Sequence, residues 1–167
     1  MMRKINKNII GSVRSLFLSV LVLALCISLF GCGEPQGSCA EALDDLLSDT
    51  PLPAGERYAF GADEGENGYL SPETARALYG EDSEGTLALC ADFAIFISSR
   101  PNPFEAAVFR CYSATDTEVV AEMLLQRIAD VQISLRDTSI AGAYDTAYVE
   151  VRGREVIMRG GVQNISK

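Results

Sequence analysis

Histidine and tryptophan are missing from the 167 residues altogether. Without histidine there is no Ser-His-Asp or Cys-His pair and no imidazole metal site. Without tryptophan there is no indole platform on which a sugar could stack. Beyond Lys7 the only lysine is Lys167, so a lysine base is excluded. The five cysteines contain no Cys-x-x-Cys, which leaves neither a redox motif nor a zinc knuckle. Catalysis would have to use carboxylates, tyrosine, cysteine or a carboxylate-bound metal. No cofactor is implied.

Acids are absent too, but only at the start. The first 31 residues hold none, while Arg3, Lys4, Lys7 and Arg14 precede the apolar run Leu16–Phe30. A basic start, an apolar middle and a small-residue end make a secretory signal. A membrane-crossing helix wants ~20 residues, so this shorter run favours a cleaved signal. Ile9 and Ile10 could lengthen it, which keeps an uncleaved anchor open. Leu29-Phe30-Gly31-Cys32 resembles a bacterial lipobox, in which the cysteine thiol takes a diacylglyceryl group and becomes the new N-terminus. Phe30 is bulkier than the residue usual there. The expected organisation is a lipoprotein signal peptide over 1–31, a short tether over 32–37 and one domain over 38–167. Cys32 is the lipid attachment site and the outer face of the cell membrane the destination.

Removal of the leader takes four basic residues and no acid, moving the net charge from −9 to about −13. A field of that sign repels nucleic acid and anionic lipid and keeps a tethered protein soluble. The remaining length is one domain's worth. Three cysteines stay unassigned once Cys32 is lipidated: Cys39, Cys90 and Cys111. One disulfide with a free thiol and three buried thiols are both open.

Ser38 with Glu41 forms a capping box for a helix over Cys39–Ser48, whose apolar stripe is Ala42, Leu43, Leu46 and Leu47. A short strand follows at Arg57–Phe60. The turn Asp63-Glu64-Gly65-Glu66-Asn67-Gly68 matches an EF-hand loop at its fifth and sixth positions only; Gly65 and Thr74 fail the third and twelfth. A plain Gly/Asn turn is the better reading. Ser71-Pro72 opens a helix that Gly80 stops, with Ala75, Leu78 and Tyr79 inward. Glu81–Gly85 reads as a polar loop.

Residues 87–97 alternate: Leu87, Leu89, Ala91, Phe93, Ile95 and Ile97 make one apolar face. With Phe104–Tyr112 this strand forms a hairpin around Pro101, placing Asp92 opposite Cys111. A Cys90–Cys111 disulfide would need a register shift. A second capping box, Thr115 with Glu118, opens a helix to about Ile133, with Val120, Met123, Leu124, Ile128 and Val131 buried. Strands over Thr146–Val151 and Arg154–Arg159 bury Tyr148, Val151, Val156 and Met158. A loose tail begins at Gly160. The fold class expected is α+β: an antiparallel sheet of about four to five strands with helices packed on one face.

Glu105-Ala106-Ala107-Val108-Phe109-Arg110 resembles the Glu-Ile-Ala-Val-Phe-Lys signature of the bacterial lipoprotein family called domain of unknown function 4358. Tyr79-Gly80 before an acidic loop, the helix opening at Asp116 and the late hairpin glycine Gly153 resemble it as well. The likeness spans roughly Cys39 to Met158, and Ala106 departs from the usual isoleucine. It implies a lipid-anchored surface protein and carries over no catalytic or binding residue.

The leading expectation is therefore a non-enzymatic module that binds an envelope protein or component. It would use an exposed patch such as Tyr58, Tyr69 and Tyr79 rimmed by acids. The alternatives are a carboxylate hydrolase of envelope glycans, drawing on Asp63, Glu66, Asp92 and Glu105, and calcium in the Asp63–Gly68 turn. Glu105 is read as a strand-end residue paired with Arg100 or Arg110. Oligomeric state is open.

Overall fold

The computed structural model describes residues 37–49, 51–99 and 103–161. These all belong to one unit, Gly37–Lys167. The leader, Cys32, most of the tether, Arg100 and the last six residues lie outside the described residues.

Helix α1 (Cys39–Leu47) starts where the capping box requires. Ser38 Oγ accepts from the Glu41 N–H at 3.2 Å, and the Glu41 carboxylate accepts from the Ser38 N–H at 2.8 Å. Strand β1 (Gly55–Ala59) follows, then helix α2 (Pro72–Tyr79). Ser71 caps α2, and Gly80, at φ 92°, ends it in a backbone region that favours glycine. The stretch read as a polar loop contains a five-residue helix, α3 (Ser83–Leu87). Its bond from the Ala88 N–H to the Glu84 carbonyl takes Leu87 out of the strand. Strand β2 is therefore Cys90–Ser98, and β3 is Phe104–Cys111.

Helix α4 (Thr117–Leu135) buries Val120, Met123, Leu124 and Ile128 as its periodicity requires. The second capping box does not form. Instead Asp116 accepts from the Ser113 N–H at 3.2 Å, and Thr117 Oγ1 donates to the Ala114 carbonyl. Those bonds close a turn ahead of the helix. Strands β4 (Tyr148–Arg152) and β5 (Glu155–Gly161) make the last hairpin about Gly153.

The five strands form one antiparallel sheet in the order β1-β2-β3-β5-β4. The fold is α+β, as expected, with one refinement. Alternate strand residues feed two cores on opposite faces. Phe93, Ile95, Ala107, Phe109, Val156 and Met158 pack with α2 and α4. Ala94, Phe96, Phe104, Ala106, Val108 and Ile157 pack under α1 alone. The stripe of α1 is thus buried on the face that sequence reading had left uncovered.

Two strand assignments are corrected. Tyr148 and Val151 are exposed, because β4 is an edge strand whose inward residue is Val149. Gly160 and Gly161 are not a loose tail: they pair with Glu105 and Phe104.

Candidate functional site

The hairpin register sets the polar chemistry. Asp92 lies opposite Arg110, not Cys111, and an extra residue, Ala91, bulges between Cys90 and Asp92. Glu105, near the start of β3, shares a face with Ala107 and Phe109 and points under the helices. It is wholly buried.

A carboxylate in that position must find partners. Arg127 supplies them from α4, with Nε and one terminal nitrogen each 3.0 Å from Oε2. The Tyr79 hydroxyl donates a long bond of 3.5 Å to Oε1. This corrects the expected pairing: Arg127 holds Glu105, while Arg110 belongs to Glu155, 2.7 Å away. Burial pushes the Glu105 carboxyl above its ordinary range, outweighing the opposite pull of Arg127 and Tyr79. The Tyr144 hydroxyl is also driven upward, by burial first and by Glu105 second. A cavity of 160 Å³ lies alongside, and Ser98, Glu105, Arg127, Ser134 and Tyr144 are among its lining residues.

The opposite face carries a second polar group. Asp92 accepts from the Cys39 N–H at 2.7 Å, at the first turn of α1. Beside it, Arg110 donates to the Gly37 carbonyl at 2.7 Å and to Glu155 through two nitrogens. These contacts clamp the first described residues of the domain to the sheet. A carboxylate facing a helix N-terminus is favourably placed for the backbone dipoles.

The four carboxylates singled out in the sequence therefore fall in three places. Glu105 is under the helices and Asp92 under α1. Asp63 and Glu66 share an exposed turn, in which the Glu66 carboxylate accepts from the Asp63 N–H at 3.3 Å. Among the described residues no group of three or more Cys, Asp or Glu is placed to hold a metal ion. The tyrosine patch does not assemble: Tyr79 is a core residue, edge-on to Phe109.

Arg127 and Tyr144 were missed by the sequence reading. Arg127 carried a signal, because it stands three residues after Leu124 and four before Val131, on the buried stripe. An arginine there needs a buried acid. Tyr144 lies in the turns between α4 and β4, where no periodicity operates.

An open groove of 430 Å³ lies beside the edge strand. It is lined by Gly142, Thr146, Tyr148, Arg159 and Gly160, among others. Among the described residues no helix is long and apolar enough to cross a membrane. The chain matches no family model, no curated protein and no solved structure.

Proposed function

We propose that this is a membrane-tethered lipoprotein, anchored through Cys32 on the extracytoplasmic face, whose domain is a non-catalytic binding module for an envelope protein. One observation carries the non-catalytic part. The buried acids are each committed to holding the fold: Glu105 to Arg127 and Tyr79, Glu155 to Arg110, and Asp92, partly buried, to the Cys39 N–H. An acid engaged in this way is less free to serve as a proton carrier. Among the apolar side chains the domain exposes are Tyr148 and Val151 of the edge strand β4, with the groove beside it. The resemblance to the lipoprotein family and the acidic charge agree with a soluble domain held near a membrane.

The test is crosslinking and pulldown from intact cells expressing the full chain, with Cys32→Ala as control. One dominant envelope protein, recovered with the native chain and lost with the control, is the expected result. Recovery of nothing specific from well-expressed protein overturns the binding reading and moves a carboxylate enzyme ahead of it.

A further inference from the structure

Cys90 and Cys111 begin and end the central hairpin. In the register of the rest of that hairpin Ala91 would face Cys111 and Cys90 would face Tyr112. The bulge at Ala91 changes this, bringing Cys90 directly opposite Cys111. It also turns Cys90 onto the helix side, so that both thiols lie in the same core as Phe93 and Phe109.

The main-chain bonds identify the kind of pair. The Tyr112 N–H donates to the Leu89 carbonyl at 3.0 Å, one step outside the two cysteines. The Cys111 N–H turns away, to the Arg154 carbonyl at 2.9 Å. Cys90 and Cys111 therefore form a non-hydrogen-bonded antiparallel pair. In such pairs the Cα atoms are ~4.5 Å apart and the side chains lean together. That separation falls inside the range of about 4.4–6.8 Å which a disulfide spans. In the structure both are free thiols: Cys90 donates to the Thr86 carbonyl at 3.9 Å, and Cys111 is near enough to add to the upward pKa shift that burial gives Cys90. Cys39 has no such cross-strand partner: it is buried under α1 with Phe96 and Val108, on the other face of the sheet.

We propose that Cys90 and Cys111 form a disulfide in the mature protein, while Cys39 stays a free thiol. The proposal rests on the export reading, since an envelope compartment is where such bonds persist. Two S–H bonds break and one S–S bond forms. The oxidant is a protein disulfide of the envelope, whose own S–S bond takes up the two protons and two electrons as two thiols. Both cysteines are almost completely shielded in the finished fold. Exchange therefore precedes closure of α2–α4 over the sheet, and the finished bond resists reduction.

The experiment uses the full chain extracted from cell envelopes under denaturing, non-reducing conditions, with free thiols alkylated before any reductant is added. Cys39 should be alkylated at once. Cys90 and Cys111 should be alkylated only after reduction, and their peptides should migrate as one species lighter by two hydrogen atoms. Cys39→Ala should leave that species unchanged, and Cys90→Ser should release Cys111 to alkylation. Reduction should lower the Tm by roughly 10 °C. Immediate alkylation of Cys90 and Cys111 overturns the disulfide in the mature protein, and a peptide linking Cys39 to either overturns the pairing. The same chain refolded in detergent with a glutathione redox buffer separates the two premises. Absence of the bond there overturns the pairing. Its presence there but not in cells supports the pairing and counts against export.

Discussion

Glu105 shows how a single side chain can be legible in kind and misjudged in partner. Its position at a strand end suggested a nearby arginine on the same hairpin, but the pleat points it under α4, where Arg127 reaches it. A buried acid held by one cation is sensitive to loss of that cation. Arg127→Met should destabilise the domain by about 3 kcal/mol near neutral pH, because it strands a buried charge. The loss should shrink in acid, where Glu105 is protonated; urea titrations at several pH values measure both. Glu105 also has its own pH signature. Burial raises its folded pKa above the unfolded one, so the folded state favours the proton. That stabilisation is complete below the unfolded value of about 4.3 and is lost as pH rises through the folded value. Glutamine mimics the protonated acid, so the stability of Glu105→Gln relative to the parent should improve from pH ~4 upward. A difference in Tm that stays flat across that range would refute the assignment.

At the scale of elements, what could be read was what local chemistry dictates. The box of Ser38 and Glu41, the Ser71-Pro72 start, the Gly80 stop and the stripe of α4 all depend on residues within a turn of each other, and all formed. Ser38→Ala should cost about 1 kcal/mol, seen as a lower midpoint in urea. The bulge at Ala91 and the short helix α3 were not legible, because period-two alternation ran unbroken from Leu87 and gave no sign of the extra residue. The second capping box failed for a related reason: the Thr115 hydroxyl pairs with that of Ser113 at 2.7 Å, while Asp116 and Thr117 bond to backbone groups of the turn ahead of the helix. Gly161 was misread as part of a loose tail, although its residue type was informative. It sits at φ 98°, and a Cβ there would run into the Pro103 carbonyl. Gly161→Ala should therefore cost ~2 kcal/mol or more, measured the same way, since both the backbone and the close approach oppose it. Gly153→Ala, with φ 63° but open space around it, should cost less.

For the whole molecule, charge and anchoring act together. The leader is basic and apolar, and the rest of the chain is strongly acidic. After cleavage the protein would carry about −13 and would be held only by acyl chains. An acidic domain gains nothing from anionic headgroups, so in the proposed arrangement attachment would rest on those chains. One alone is marginal, whereas two or three hold firmly. Cleavage between Gly31 and Cys32 and acylation of the Cys32 thiol then make a joint prediction for the full chain in a bacterial host. The native protein should incorporate an alkyne-tagged palmitate, stay in the membrane fraction through a high-salt wash, and have lost its first 31 residues by mass. Cys32→Ala should take up no label and keep the precursor mass, because in the proposed anchoring the cysteine is both nucleophile and cleavage mark. A native chain that sits in the membrane at precursor mass and unlabelled would instead be held by residues 9–30 as an uncleaved helix. The tether would then lengthen from the six residues 32–37 only by the stretch between the helix end and Cys32. The domain would remain close to the bilayer, so a partner reached by the groove beside β4 would still have to be an envelope component.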